Sequence, residues 1–436
     1  MSTITSHRRT ARVSGLRQAL HSLRLPALGA LLALSAIIGP VPHAAAQQPL
    51  TAEFVNIWTS PSERAAKQAI ADNYVAAGGK FVDVALGCAT CGMSTTIDRI
   101  LAGDPPTATQ FTLSTNFNDL VNKGLAADID DVATENHWRS LLPPSLVDAI
   151  SRNGKVYFAP VDLSEGWIFY NVAVLKQAGV EPPTNFDDNF FTTLDKIKAA
   201  GFIPLAIGGN GQQYRWTFEI VMAGLGGKAH WQAVWADRDD KAIRGPLQRR
   251  IFETFRRLHD YADQGSTGRA WAATAQLLIS GKAGVMALGT WAKGEFAAGG
   301  MKAGKDFGCV LPGNAYLMFG DLVGFPKQTK PEQIAAQKLF AKVVFDRPAQ
   351  LGFNVAKNAL PPRTDIDIAG DPRFDACSQK AAAIYHEGSQ VIANSQLYLS
   401  PDGGGALVDL LSEYFTSKDM PTDEAIDRFA QIVKNR

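Results

Sequence analysis

The sequence predicts an α/β fold built on a parallel, doubly wound sheet. Short apolar segments alternate along the chain with amphipathic segments of helical period, which is the pattern of βαβ units. Residues 283–288 form an apolar run bounded by glycines, as expected for a strand buried on both faces. Gly289 and Thr290 then turn the chain into a helix that Trp291 opens. Because ligands of open α/β sheets bind beyond the carboxyl ends of the strands, Trp291 is a candidate binding residue, with core packing as the alternative.

The first 46 residues have the composition of a cleavable secretory signal peptide. They contain five arginines and no acidic residue, an apolar run at residues 25–38, and Ala44-Ala45-Ala46 as a cleavage site. The apolar run is too short to span a bilayer. Arg8-Arg9 resembles a twin-arginine signal, but its sequence context favours the general secretory route. We therefore expect residues 1–46 to be removed and the remainder to be exported.

Removing the signal peptide changes the charge balance of the chain. Of 436 residues, 390 remain after 46 are removed, which predicts about two to three domains. The whole chain has 43 basic and 42 acidic residues, and loss of five arginines leaves 38 basic against 42 acidic, a net charge of −4. A mildly acidic exported chain argues against nucleic acid as a partner.

The four cysteines are predicted to form disulfides, because the count is even and the exported environment is oxidising. Pairing Cys309 with Cys377 leaves Cys88 and Cys91 as a local pair. The spacing of Cys88 and Cys91 also permits a redox dithiol or half of a zinc site. A zinc site needs about four ligands, and no second such motif is present, so we expect no metal or other cofactor.

The first part of the exported chain is predicted to contain three strand–helix units. Ser60 and Glu63 flank Pro61 as a capping box, which opens a helix that Gly78-Gly79 ends. Strands are predicted at residues 53–58, 80–86 and 108–113, with further helices at 94–101 and up to residue 123.

The remainder is predicted to cross into a second α/β region and return. A hairpin-like segment at 151–157 is followed by a turn at 158–160 and an aromatic run at 167–171. Later strands are predicted at 203–207 and at 317–326, the last interrupted at Gly320-Asp321. Helices are predicted at 172–178, 191–200, through 216–262, at 273–279, at 331–345 and at 422–433, with a glycine break at 403–405.

Several short motifs occur in an order that resembles a known family. Trp58-Thr59-Ser60 with Glu63, the segment GKVYFAP at 154–160, and GKAGV at 281–285 followed by Trp291 are the main ones. Together they resemble the periplasmic solute-binding proteins of ABC transporters, family 1, which bind sugars. Gly268-Arg269, Trp271 and WAKGEF at 291–296 make the chain most similar to the glucose/mannose-binding branch.

This resemblance implies a two-lobed periplasmic binding protein fold, type II-like, with a ligand cleft between the lobes. Lobe 1 is expected to comprise residues 47–160 plus 318–365, and lobe 2 residues 161–317 plus 366–436. Hinge crossings are expected near 160–166, 310–317 and 364–371, with closure about the bound ligand. The resemblance further implies a monomer in the periplasm that delivers a sugar or polyol to inner-membrane permease subunits.

A sugar ring has apolar C–H faces and a rim of hydroxyls, so aromatic and polar side chains together are expected in the cleft. Glu63 has the alternative of only closing its capping box, and Lys293 of being a solvated helix residue. Asp321 interrupts an apolar strand, which is costly without a role. The resemblance implies ligand binding by Trp58, Ser60, Glu63, Glu165, Trp167, Gln213, Trp216, Trp271, Trp291, Lys293, Asp321 and Lys357.

The sequence departs from the glucose/mannose branch around the expected cleft. Ala270 and Thr290 stand where the branch has aspartates, and residues 162–166 replace a run that contains histidine. Gln212 replaces a tryptophan, and SQLYLS at 395–400 replaces a histidine–glycine motif. Glucose is therefore not carried over as the ligand.

Three other functions compete with sugar transport. A sensory binding protein that docks onto a receptor would have the same features. A secreted glycoside hydrolase needs two carboxylates, for which Glu165 and Asp321 are the candidates. A thiol oxidoreductase would use Cys88 and Cys91. The chain has no nucleophile elbow, metalloprotease or phosphate-loop motif, so we expect no enzyme.

Overall fold

The computed structural model describes residues 48–87, 91–115 and 118–435. The chain from Pro49 onward forms one compact unit. The predicted signal peptide and the predicted Cys88–Cys91 pair lie outside the described residues and side chains. None of the described helices is long and apolar enough to span a bilayer.

The described part of the chain contains eleven strands, which lie mostly in one large sheet. They are β1 Thr51–Asn56, β2 Lys80–Ala85, β3 Ala108–Thr112, β4 Ser151–Arg152, β5 Lys155–Val156, β6 Phe158–Asn171, β7 Ile203–Ala206, β8 Ala283–Gly289, β9 Phe307–Val310, β10 Tyr316–Gly324 and β11 Val391–Ala393.

Eighteen α-helices occur among the described residues, most of them close to the predicted segments. They are α1 Pro61–Ala76, α2 Cys91–Leu101, α3 Asn118–Asn122, α4 Asp130–Glu135, α5 Trp138–Leu141, α6 Pro144–Ile150, α7 Val172–Ala178, α8 Asp188–Ala199, α9 Gly211–Trp235, α10 Asp240–Arg244, α11 Pro246–Arg257, α12 Trp271–Ile279, α13 Trp291–Ala298, α14 Pro331–Phe345, α15 Arg347–Lys357, α16 Ala376–Glu387, α17 Pro401–Thr416 and α18 Thr422–Lys434.

The sheet is mixed rather than wholly parallel. Its order is β2-β1-β3-β10-β6-β8-β7, with β11 beside β10 and β9 beside β6. β1 is parallel to both β2 and β3, and β7 is parallel to β8. β10 is antiparallel to β3 and β6, and β6 is antiparallel to β8 and β9. The predicted parallel pairing therefore holds at the two ends of the sheet, and antiparallel strands join them.

One long strand links the two ends. The first half of β6 pairs with β10, and its second half pairs with β8 and β9. The predicted turn at 158–160 is wrong, because those residues are strand. Pro160 fits there because the register shifts beside it, opposite the Asp321–Leu322 step, and a proline is tolerated at such a bulge. The expected lobe boundary after residue 160 falls at this bulge.

Two hydrophobic cores flank the sheet. In one, Phe54 of β1 packs against Phe340 of α14, with ring centroids 5.4 Å apart. In the other, Phe218 of α9 packs against Phe252 of α11 and Phe429 of α18, at 4.9 and 5.9 Å. The first core extends along the sheet from β1 to β8, and the second packs on the opposite face of β7 and β8.

One further expectation is corrected, one helix has no counterpart among the predicted elements, and one expectation is confirmed. The glycines at 403–405 do not break a helix but lie in the first turn of α17, because Ser400 caps that helix and Pro401 begins it. α15 was not predicted, although Asn358 ends it in the left-handed conformation typical of a C-terminal cap. The disulfide between Cys309 and Cys377 is confirmed and joins β9 to α16.

Candidate ligand-binding site

Asp321 lies at the centre of a network of polar side chains. Its Oδ2 accepts hydrogen bonds from Trp58 Nε1, at 3.2 Å, and from Lys357 Nζ. Its Oδ1 accepts one from Gln110 Nε2 at 2.9 Å. We call Trp58, Gln110, Asp162, Asp321 and Lys357 the Asp321 cluster. The Asp321 side chain keeps 14% of its surface exposed, so the network has an accessible edge.

Five separate segments of the chain bring the Asp321 cluster together. Trp58 follows β1, Gln110 is in β3, and Lys357 is the last residue of α15. Asp162 of β6 and Asp321 of β10 are cross-strand partners, so their side chains lie on the same face of the sheet. Sequence reasoning did not select Gln110 or Asp162 as ligand-binding residues, although each is a polar residue within a mostly buried strand.

Lys357 is buried and forms ion pairs with two carboxylates. Its ammonium lies 2.8 Å from Asp162 Oδ2 and also contacts Asp321 Oδ2. Burial alone would lower the pKa of Lys357, but the charges of Asp162, Asp321 and Glu63 raise it above its ordinary value. Lys357 therefore remains cationic. Burial, aided by the Asp321 charge, raises the pKa of Asp162, while Lys357 opposes that rise.

Ser60 and Glu63 form the predicted capping box at the start of α1. Glu63 Oε2 accepts hydrogen bonds from the Thr59 and Ser60 amides at 3.2 and 3.1 Å, and Ser60 Oγ accepts one from the Glu63 amide at 3.3 Å. The pKa of Glu63 is raised by burial, and the nearby Lys357 lowers it only in part. Ser60 is thus explained by helix capping, whereas Glu63 also contributes charge beside the Asp321 cluster.

An aromatic group adjoins the Asp321 cluster. The ring of Trp291 lies edge-on to Trp216 at 4.8 Å between centroids and to Phe319 at 5.7 Å. Phe319 and Asp321 are alternate residues of β10, and alternate residues point to the same face of a strand. We call Trp216, Trp291 and Phe319 the aromatic group. One face of β10 therefore joins a charged network to the buried ring of Phe319 and the half-buried rings of Trp216 and Trp291.

Glu165 and Trp167 belong to a second network on the opposite face of the β6–β10 pair, which we call the Glu165 cluster. Trp167 Nε1 donates to Glu165 Oε1 at 2.7 Å and to Thr290 Oγ1 at 3.1 Å. The Glu165 amide donates to the same Thr290 hydroxyl at 3.0 Å. Burial raises the pKa of Glu165, although the charge of Lys293 opposes the rise. These groups are fully buried, so the network fixes the crossing of β6 toward β8.

Lys293 also lies on this side. It is fully buried and donates to Ser378 Oγ at 2.6 Å and to Asp375 Oδ1 at 3.3 Å, with its ammonium 5.6 Å from the Trp167 ring centre. The alternative of a solvated helix residue is therefore wrong. Its hydrogen bonds join α13 to α16.

Gln213 and Trp271 lie near the start of α9 and α12. Gln213 is buried, and its Nε2 donates to the Arg269 carbonyl at 2.8 Å, which fixes the loop before α12. Trp271 is the first residue of α12 and is partly buried. Thr290, the residue before Trp291, has a hydroxyl and no carboxylate. That hydroxyl is hydrogen-bonded within the Glu165 cluster.

The described residues hold no group of three or more His, Cys, Asp or Glu side chains arranged to bind a metal ion. The Asp321 cluster and the aromatic group offer hydrogen bonding, charge and aromatic contact. Such a combination suits a ligand with a hydroxyl-rich edge and an apolar face.

Comparison with known proteins identifies the family. Residues 89–376 match the family described as bacterial extracellular solute-binding protein. A protein of Brucella suis biovar 1 called "probable sugar-binding periplasmic protein" is 31% identical over 423 residues, which cover 94% of this chain and 98% of the relative.

Solved structures share the fold. A chitin oligosaccharide binding protein superposes with a TM-score of 0.74 at 14% identity, covering 88% of this chain and 98% of its own. An ABC transporter solute-binding protein of Thermotoga lettingae, solved with α-D-tagatose, has a TM-score of 0.71 at 16% identity, covering 88% and 98%. The two-lobed binding-protein fold expected from the sequence is confirmed.

Proposed function

The chain belongs to the family of bacterial extracellular solute-binding proteins, and we propose that it captures a sugar for an ABC transporter. The sugar would bind between the two ends of the large sheet and be delivered to the permease subunits. The matching family description names no sugar, so the particular ligand is a matter for measurement.

One observation carries the proposal: the Asp321 cluster and the aromatic group share one face of β10. A carboxylate accepts about four hydrogen bonds, and Asp321 has three donors within the protein. One acceptor position is left for a ligand hydroxyl. The Asp321–Lys357 pair is held rigid by Trp58 and Gln110, so little side-chain entropy is lost when a ligand binds.

The aromatic group supplies the complementary contact. The C–H face of a sugar ring packs on an aromatic face, and the edge-on arrangement of Trp216 and Phe319 holds the Trp291 ring in one orientation. β6 pairs with β10 in its first half and with β8 in its second half, so bending of β6 would close the lobes around the ligand.

The candidate residues divide into two roles under this proposal. Those assigned to ligand contact or to the electrostatics of the contact are Trp58, Glu63, Trp216, Trp291, Asp321 and Lys357, with Gln110 added. Those assigned to positioning are Ser60, Glu165, Trp167, Gln213 and Lys293, and Trp271 is kept as a peripheral contact. No residue is assigned a catalytic role.

The cellular part of the proposal follows from the relatives and from the N-terminal sequence. The Brucella relative is named as periplasmic, and residues 1–46 have the composition of a signal peptide. We propose export through the inner membrane, removal of residues 1–46 and action as a monomer in the periplasm.

Isothermal titration of the purified protein tests the function. The panel comprises monosaccharides, disaccharides and polyols, and at least one is expected to bind with one-to-one stoichiometry. A folded protein that binds no member of the panel would contradict the sugar assignment.

A further inference from the structure

Glu295 of α13 contacts the start of α1 across a sequence separation of 233 residues. Its Oε1 accepts hydrogen bonds from Ser62 Oγ at 2.6 Å and from the Ser62 amide at 3.0 Å. Both side chains are buried. In the expected division of the chain, α1 belongs to lobe 1 and α13 to lobe 2, so this contact would join the two lobes.

The contact completes the N-terminal cap of α1. The first turn of a helix has amide donors without partners inside the helix. Pro61 has no amide hydrogen, the Glu63 amide donates to Ser60 Oγ, and the Arg64 amide donates to the Ser60 carbonyl. The Ser62 amide therefore has no partner within the helix, and it donates its hydrogen bond to Glu295. A carboxylate at this position is also favoured by the helix dipole.

Because Gly294 has no side chain, the backbone of α13 lies close to Ser62 and to the backbone of Lys357. A Cβ atom at residue 294 would lie 2.7 Å from Ser62 Oγ and 2.9 Å from the carbonyl oxygen of Lys357. The Lys357 carbonyl belongs to the backbone, so it cannot rotate away as a side chain could. α13 therefore packs at once on the helix that carries Glu63 and on the residue that holds Asp321.

The opposite side of α13 is anchored. Phe296 packs edge-on against Phe169 of β6, with ring centroids 5.2 Å apart, and Lys293 is hydrogen-bonded to Ser378. α13 is thus held to β6 and α16 on this side, while its other side contacts Ser62 and the backbone of Lys357.

We propose that Glu295 is a positioning residue that latches the closed form of the site. It acts through Ser62, whose helix carries Glu63, and not by contact with the ligand. Closure gives the Ser62 amide its acceptor, and opening leaves that amide to water. Any sugar that requires the closed form therefore binds more tightly when the latch is intact. The binding part of this inference rests on the proposed function, whereas the contact itself does not.

The test compares Glu295→Ala, Ser62→Ala and Gly294→Ala with Glu332→Ala, in which an exposed glutamate in the first turn of α14 is removed. Hydrogen–deuterium exchange of the full chain is followed by mass spectrometry, both without sugar and with a saturating concentration of a sugar that binds. In the sugar-bound, closed form Glu295→Ala and Gly294→Ala should speed exchange in a peptide covering residues 59–67 and leave peptides from α9 and α18 unchanged. Glu332→Ala should have no effect on these peptides.

The binding readout is titration with whichever sugar of the panel binds the wild-type protein. Glu295→Ala should weaken binding roughly ten- to hundredfold, since a hydrogen bond to a charged group is lost from the closed form alone. Glu295→Gln, which keeps the acceptor oxygen, should restore part of the loss. Unchanged exchange at 59–67 together with affinity equal to that of Glu332→Ala would overturn the latch. If the wild type binds no sugar, the proposed function fails, and the exchange comparison without sugar still decides whether the Glu295–Ser62 contact forms.

Discussion

Replacing Asp321 by asparagine should destabilise the protein measurably even without ligand. The carboxylate accepts from Trp58, Gln110 and Lys357. Asparagine offers one oxygen, and its amide N–H groups would face donors. At least one neutral donor loses its partner, and the charge-assisted bond from Lys357 is weakened. Hydrogen bonds to charged groups contribute about 1.5–3 kcal/mol and neutral ones about 0.5–1.5 kcal/mol, so a loss of about 2–4 kcal/mol is expected.

Lys357 limits the size of this effect. It keeps Asp162 at 2.8 Å as an ion-pair partner, so Asp321→Asn does not leave the buried ammonium alone. Removing the ammonium instead, with Lys357→Met, would leave two buried carboxylates without a cation. The penalty for breaking a buried pair in that way is about 3–5 kcal/mol. Lys357→Met should therefore be the more destabilising of the two variants.

Urea unfolding followed by circular dichroism measures both variants. Asp409→Asn is the control, because Asp409 is exposed on α17 and its replacement should change the free energy of unfolding by less than about 0.5 kcal/mol. An Asp321→Asn variant as stable as this control would refute the described network, since its three donors would then have other partners.

Three further outcomes are expected. Trp291→Ala should weaken sugar binding by about tenfold or more and Trp291→Phe less, since an aromatic pair contributes about 0.5–1.5 kcal/mol beyond the area buried; equal titrations for wild type and both variants would contradict this. The double variant Cys309→Ser/Cys377→Ser should lower the free energy of unfolding by about 2–4 kcal/mol, because the bridge closes a loop with a sequence separation of 68 residues; an unchanged urea midpoint would contradict it. Burial raises the pKa of Glu165 above 4.5, so the folded chain binds its proton more tightly than the unfolded chain, and this contribution to stability is lost as pH rises through the folded-state pKa. The unfolding free energy of Glu165→Gln relative to wild type should therefore increase from pH 4.5 toward neutrality, and a pH-independent difference would show that Glu165 is not desolvated.

Local signals in the sequence predicted the elements that local interactions determine. The capping box at Ser60 and Glu63 begins α1 as expected, and Pro331 begins α14. The glycine-bounded run became the fully buried strand β8, followed directly by a helix that begins at Trp291. In each case the determining residues are within a few positions of one another.

Long-range strand pairing explains the errors in the predicted fold. The continuity of β6 through Pro160 depends on a register shift opposite Asp321, which is about 160 residues away in the sequence. Likewise, the antiparallel pairing of β10 with both β3 and β6 has no local signature. The glycines of α17 were misjudged because a strong cap at Ser400 outweighed their low helix propensity.

The candidate site was also predictable from the sequence only in part. The position of Asp321 within an apolar strand indicated a role, and the structure gives it three hydrogen-bond donors. Gln110 and Asp162 were not selected, although each is a polar residue in a mostly buried strand, which is the same signal that identified Asp321. The division between the Asp321 cluster and the Glu165 cluster follows from strand alternation in β6, but only once that strand is known to be continuous.

A crystal structure with the tightest-binding sugar of the panel is the direct test of the proposed site. A sugar hydroxyl is expected within hydrogen-bond distance of Asp321, with the ring packed on Trp291 and with β6 and β10 beside it. A sugar bound elsewhere, with the Asp321 cluster and the aromatic group untouched, would show that these residues do not form the binding site.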